Sequence, residues 1–294
     1  MHSYPKISII TACLNAARTI ETTIKSVLDQ NYQNLEYIVI DGASSDGTLE
    51  IIDKYEDKIA KLVSEPDKGL YYAFNKGISL ATGELIGIIN ADDLYLPWTF
   101  SMISRCYLRQ PEHALYYGNT VLWDENNGKA YFFPLNFSRW DFQRVISITH
   151  PACFFTKHIY DKYGVYDTHY KIAADWNFLL RLFVAKESFI PLDFPLAIFR
   201  WGGTAATHRD KTLEEGETVL LEFTRNQKKT EKIYNKMMKQ SIFDFIGVLI
   251  LKWISRIGRG DFYFKVKNSF FFKVSSLENL VKKISLICSP DNYI

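Results

Sequence analysis

The stretch Glu84 to Asp93, ELIGIINADD, decides how this chain is read. LIGII is a short apolar run without polar alternation, the pattern of a strand covered by helices on both faces, as in a parallel sheet. It ends abruptly in two adjacent carboxylates, Asp92 and Asp93. Ligands of open α/β sheets gather at the carboxyl ends of such strands, where the pair then sits. Two hard oxygen donors suit Mg²⁺ or Mn²⁺, which take one or two protein carboxylates and complete their shell with substrate phosphates. Asp-Asp also serves as a helix cap, and Pro97 opens a helix just downstream, so the dipeptide alone leaves a capping role open.

Outward from this strand, the first 125 residues alternate apolar runs with helical patterns, the βαβ rhythm of a mostly parallel sheet flanked by helices. The spacing predicts strands at Ile7–Cys13, Leu35–Ile40, Lys61–Ser64, Leu85–Ile89 and Leu115–Val121. It predicts helices at Thr19–Asp29, Thr48–Tyr55, Tyr71–Leu80 and Pro97–Arg109. Asp46-Gly47-Thr48 supplies capping chemistry for the second helix. DENNGK, residues 124 to 129, reads as a hairpin turn. ADWNFLLRLF then gives a helix over Asp175–Ala185 with Asp175 in its first turn, and Phe189–Arg200 gives a further strand. WGGTAATHRDKT reads as a loop with Gly202 and Gly203 as hinges, followed by long helices from Leu213 onward.

Charge divides the chain. Up to residue 224 there are 21 Lys and Arg against 28 Asp and Glu; from 225 to 294 there are 14 against 5. We therefore read residues 1–224 as one α/β domain and 225–294 as a helical, basic and aromatic C-terminal extension. Its Phe243, Phe245, Trp253 and Phe270-Phe271-Phe272 lie among aliphatic runs such as IGVLI, which suits an anionic membrane surface better than nucleic acid. Packing of these faces against the main domain is the alternative. No run of roughly 18 uncharged apolar residues marks a transmembrane helix, and MHSYPKISII lacks the features of a secretory signal. The scattered Cys13, Cys106, Cys153 and Cys288 show no metal-ligand spacing and point to a reducing compartment. The expected location is cytoplasmic, peripheral at the inner face of the cell membrane.

The second strand ends Ile40-Asp41-Gly42, followed by Ala43-Ser44-Ser45. A carboxylate at a buried strand tip beside small residues lets a flat ring approach, and Asp41 can accept a hydrogen bond from a nucleobase imide. Neither GxGxxG nor GxxxxGK[ST] occurs, which disfavours a dinucleotide fold or a P-loop kinase.

With SEPDKGLYYAFNKGISLATGELIGIINADD, THPACFF and ADWNFLLRLF in this order, the chain resembles family 2 glycosyltransferases, especially bacterial enzymes that build cell-surface polysaccharides. The resemblance covers roughly residues 6 to 205. It implies a GT-A fold and an inverting transfer of one sugar from a nucleoside diphosphate sugar, a UDP-sugar, to a lipid-linked or growing glycan acceptor. By position it implies that Thr11 lies in the first donor loop, Asp41 contacts the base, and Lys68 and Asn75 serve the donor. Asp93 becomes the direct ligand of Mn²⁺ or Mg²⁺, Asp92 reaches ribose or metal, and Asp175 becomes the catalytic base. Related folds also place a loop histidine on the metal, which makes His208 a further candidate, and Arg200 and Arg209 could meet phosphate oxygens. Tyr72 stands where relatives often carry an acid, and Asn90-Ala91-Asp92-Asp93 departs from a strict DxD. The rival readings are a non-catalytic nucleotide-sugar-binding subunit of an assembly complex and a nucleotidyltransferase. A pure binding protein needs no base, which argues against the first.

Overall fold

The computed structural model of the chain describes residues 4–132, 148–202, 208–225, 264–266, 269–274 and 276–287. Four strands form its parallel half: β1 (Ile7–Cys13), β2 (Leu35–Asp41), β3 (Lys61–Ser64) and β4 (Leu85–Asn90). They lie side by side in the order β4-β1-β2-β3, with Ile10 paired to both Ile38 and Ile88. The apolar runs of β1, β2 and β4 are buried on both faces, as a doubly covered sheet requires, while β3 is the partly exposed edge. The expected strands and helices of this half are present. The one shortfall is the second helix, which gives way to a 3₁₀ turn at Asp53–Lys58.

One face is covered by α1 (Ile20–Leu28), α2 (Thr48–Ile52) and, farther along the chain, α4 (Thr99–Arg109). Ile20, Ile24 and Val27 pack there with Phe100 and Ile103. The opposite face carries α3 (Leu70–Leu80), whose Tyr71, Phe74 and Ile78 meet Ile10 and Ile38. Gly77 lets α3 lie this close, since a Cβ there would stand 2.4 Å from Ile10 Cγ2.

Beyond β4 the sheet turns antiparallel. The two-residue β5 (Leu94–Tyr95) precedes α4, and β6 (Leu115–Asp124) and β7 (Lys129–Phe132) form the hairpin predicted from DENNGK. β8 (Cys153–Thr156) inserts between β4 and β6, antiparallel to both. α5 (Lys157–Tyr163) and α6 (Ala174–Val184) then add Ile159, Tyr160, Phe178, Leu179 and Leu182 to the α3 side. β9 (Phe189–Arg200) runs parallel to β6 and antiparallel to β5. Its end therefore returns to the turn after β4, and α7 (Arg209–Thr224) follows.

The extension is not helical throughout. β10 (Phe264–Val266) and β11 (Ser269–Lys273) continue the sheet, with β11 pairing against β7 at Phe270↔Phe132. Aromatic residues favour strands, and β7 would otherwise present an open edge. α8 (Leu277–Ile287) buries Leu280 and Ile284 against Trp98, Val121 and Phe194. Phe243, Phe245, Trp253 and Cys288 lie outside the described residues. Among the described residues, no helix is long and apolar enough to cross a membrane.

Because Gly77 meets a strand residue with no room to retreat, Gly77→Ala should destabilise the protein by about 1–3 kcal/mol through overpacking. Urea unfolding of the two proteins should show an earlier midpoint with an unchanged slope.

Candidate active site

The carboxyl ends of β1, β2 and β4 open into a cleft of about 790 Å³ bounded on the far side by α3 and the start of α6. Its first wall is built from the β1–α1 and β2–α2 loops, which are zipped together. The Asn15 N–H donates to Ser44 Oγ at 2.8 Å, Asn15 Oδ1 accepts the Ser45 N–H at 3.0 Å, and Asp46 accepts the Ala17 N–H at 3.1 Å. Asp46 also takes the Thr48 N–H at 3.1 Å, so helix α2 is capped by this side chain, one residue ahead of Gly47.

Asp41 ends β2 beneath this wall. Its carboxylate accepts the Ser44 N–H at 3.0 Å, the Ser64 hydroxyl at 2.7 Å and the Ser44 hydroxyl. Burial favours the neutral acid, but these donors outweigh it and hold the group below the ordinary carboxylate range. Gly42 and the exposed Leu14 face the cleft beside it. Thr11 and Asn75 lie behind the lining. Thr11 is fully buried, its hydroxyl accepting from Tyr37 at 3.1 Å, and both ends of the Asn75 amide are taken by the backbone of Tyr166 at 2.8 and 3.0 Å. Lys68 is exposed between Asp67 and Gly69, both of which line the cleft.

The acidic pair divides in two. Asp93 is 1% exposed; its Oδ1 accepts the Arg200 N–H at 3.0 Å and its Oδ2 the Asn90 amide at 3.0 Å. Burial and the neighbouring Asp92 charge push its carboxyl up. Asp92 instead lines the cleft together with Asn90. Burial raises the Asp92 carboxyl as well, opposed by the Arg200 guanidinium. Asn90 Oδ1 is buried without a hydrogen-bond partner, an unsatisfied hard oxygen next to Asp92. A carboxylate and an amide oxygen fit Mg²⁺ or Mn²⁺ when substrate phosphates complete the shell. Among the described residues no three His, Cys, Asp or Glu side chains gather as a metal cluster, so His208, exposed at the start of α7, is not brought to the pair.

Arg200 does not offer its guanidinium to the cleft. It is 8% exposed, donates to the Asp92 carbonyl at 3.0 Å and to Glu125, and lies 4.7 Å over the Trp123 ring. The side chain of Arg209 lies outside the described residues.

On the far wall Asp175 occupies the first turn of α6, and its Oδ1 accepts the Trp176 N–H at 2.9 Å and the Tyr71 hydroxyl at 3.2 Å. Burial raises its pKa to about 6, with those two donors holding it from going higher. That value lies near the working range of a general base. His150 completes this wall: it stacks on Phe74 at 5.2 Å and meets the Tyr166 hydroxyl at 2.8 Å, while burial lowers its pKa to about 4 and keeps it neutral. Asn90 was visible in the sequence as a departure from DxD; its unsatisfied oxygen was not. Tyr71 carried no signal, because its contact with Asp175 spans 104 residues.

Carbon-13 NMR of the Asp175 carboxyl should give a midpoint near pH 6. Tyr71→Phe removes a donor to the ionised form and should move that midpoint upward; a downward move would contradict the assigned hydrogen bond.

Residues 8–172 match the family described as glycosyl transferase family 2. A PGL/p-HBAD biosynthesis glycosyltransferase of Mycobacterium bovis is 30% identical over 183 residues, covering 61% of this chain and 70% of that one. The putative glycosyltransferase EpsE of Bacillus subtilis is 40% identical over 101 residues, 33% of this chain and 36% of its own. Among solved structures, TarS 1-349 of S. aureus in complex with UDP-GlcNAc superposes with a TM-score of 0.63 at 15% identity, over 79% of this chain and 71% of that one. The mannosyltransferase PcManGT of Pyrobaculum calidifontis, in complex with GDP-Man and Mn²⁺, gives 0.60 at 19% identity, over 76% and 65%. These two likenesses carry the fold, which is GT-A-like. The matched segment, together with the relatives, makes the chain a member of glycosyltransferase family 2.

Proposed function

We propose that the chain is a metal-dependent inverting glycosyltransferase that moves one sugar from a UDP-sugar to a hydroxyl of a growing or lipid-linked glycan in polysaccharide assembly. The observation that carries this reading is that Asp92 and Asp175, from opposite halves of the fold, line the same cleft. The UDP-GlcNAc and GDP-Man complexes of the two structural neighbours support a nucleoside diphosphate sugar as donor.

In this reading the base lies against Leu14 and Gly42, with Asp41 oriented by Ser44 and Ser64, while Thr11 and Asn75 buttress the walls. Lys68 reaches toward the diphosphate. Asp92 and Asn90 would hold Mn²⁺ or Mg²⁺, and Asp93, expected from position as the direct ligand, instead fixes the turn behind them. A bound divalent cation supplies Lewis-acid stabilisation of the charge on the diphosphate oxygens. Asp175 faces the acceptor and takes the hydroxyl proton as that oxygen attacks the anomeric carbon. The bond from that carbon to the diphosphate oxygen breaks, the nucleoside diphosphate leaves, and the single displacement inverts the anomeric centre.

The extension, with its excess of basic residues, would hold the enzyme at the inner face of the membrane near a lipid-linked acceptor. Truncation is a poor test of this, because Val274, Leu280 and Ile284 are part of the core. Replacing Lys228, Lys229, Lys232, Lys236 and Lys239 with Gln in the full chain should abolish cosedimentation with phosphatidylserine vesicles. Unchanged cosedimentation would remove the membrane claim.

Thermal stability with Mn²⁺ across UDP-, GDP- and dTDP-sugars tests the donor site. One donor at about a hundred times its dissociation constant should add roughly 2.7 kcal/mol. Asp92→Ala should lose that gain. Asp175→Asn should keep it while turnover falls by about 10²–10⁴. Stabilisation without turnover in the parent would favour a binding subunit, and stronger stabilisation by a nucleoside triphosphate would favour nucleotidyl transfer.

A further inference from the structure

The segment that delivers Asp175 is held by a helix outside the matched part of the family, and this points to a positioning residue. Glu215, on α7, turns its carboxylate onto three successive peptide N–H groups just before α6. Its Oε2 accepts from Lys171 at 2.9 Å, Ile172 at 2.8 Å and Ala173 at 3.1 Å, and its Oε1 accepts from Lys171 at 3.0 Å. The side chain is 13% exposed, so these are charge-assisted bonds, exposed at Lys171 and partly buried at Ile172 and Ala173. From the other side the Tyr71 hydroxyl shares its one proton between the Ile172 carbonyl at 2.6 Å and Asp175 Oδ1 at 3.2 Å. Residues 171–175 are therefore gripped by their N–H groups from α7 and by a carbonyl and the acid itself from α3.

Two further residues of α7 meet this segment. Glu222, two turns on, accepts from the Tyr170 hydroxyl at 2.5 Å and from the Asn177 amide at 3.3 Å, bracketing Asp175 in sequence. Gly216 packs against Trp176, where a Cβ would stand 2.5 Å from the ring. Among the described residues, Glu215, Gly216 and Glu222 do not line the cleft, whereas Tyr71, Tyr170 and Lys171 to Ala173 do.

We infer that Glu215 is a positioning residue that fixes the geometry of Asp175 through the backbone of Lys171, Ile172 and Ala173. The inference rests on the reading of Asp175 as the base. A general base must be held to within about 0.5 Å of its productive place, and a displacement of about 1 Å costs on the order of 10²-fold in rate. Loss of the Glu215 carboxylate leaves three N–H groups without their acceptor and frees the segment to shift.

The test uses the full chain and its Glu215→Ala, Glu215→Gln and Asp175→Asn variants. Hydrogen exchange is followed at the amides of residues 171–173. Turnover is followed as nucleoside diphosphate released to water from the most stabilising UDP-sugar with Mn²⁺, and donor binding as the affinity for UDP. Glu215→Ala should speed exchange at these amides at least tenfold and lower kcat by about tenfold to a hundredfold, with donor KM and UDP affinity within twofold of the parent. Glu215→Gln, which keeps one acceptor oxygen, should fall between, and it carries the same test if the alanine variant does not fold. Exchange or kcat within twofold of the parent overturns the inference, as does a parallel loss of UDP affinity, which would signal general damage. If Asp175→Asn turns over like the parent, the base assignment itself fails, an outcome separate from any Glu215 result.

Discussion

The buried carboxylate of Asp93 has to be satisfied without water, and the way it is satisfied organises the cleft. Its two oxygens take the Arg200 N–H and the Asn90 amide, so the end of β9 is tied to the turn after β4 across 107 residues. That tie brings the Arg200 guanidinium under Asp92, where it donates to the Asp92 carbonyl and opposes the rise in its pKa. Two carboxylates side by side in a dry turn repel each other, and a fixed cation beneath them offsets part of the cost. The Thr23 hydroxyl, donating to the Asp93 carbonyl at 2.8 Å, connects the same turn to α1. One acid is thereby spent on architecture and the other is left for the cleft.

The cleft has one wall built from neighbouring strands and a far wall assembled from distant elements. The first wall comes from adjacent parallel strands and loops that share Asp41, Ser44 and Asn15, all local in sequence or one strand apart. The far wall is put together from α3, α6 and α7, which are separated in sequence by strands of the antiparallel half of the sheet. The matched family segment ends at residue 172, just short of α6, which carries Asp175. A raised pKa at Asp175 is what a carboxyl in such a wall acquires through burial, and it is also what a proton acceptor near neutrality needs.

Much of this was legible in the sequence, for reasons that are physical. β1, β3 and β9 fall at the predicted residues because apolar runs bounded by polar turns leave few other arrangements, and α6 was visible in the spacing of Phe178, Leu179 and Leu182. The acidic pair at the end of β4 was readable too, but which acid faces the cleft was not. That depends on the Arg200 N–H, and no local pattern reports a partner 107 residues away. Arg200 looked like a phosphate ligand because an arginine at a strand end beside a glycine pair carries no mark of being buried over Trp123. The aromatic run Phe270-Phe271-Phe272 reads in the sequence as part of a helical extension, whereas its backbone pairs with the edge of β7, a partner far away in the chain.

A crystal structure of the chain with UDP and Mn²⁺, with anomalous data collected at the manganese edge, tests this placement of the acids. A manganese peak is expected within coordination distance of the Asp92 carboxylate and the UDP diphosphate, with the uracil beside Asp41 and Asp175 across the cleft. A manganese peak away from Asp92, or UDP bound outside the cleft, would contradict it.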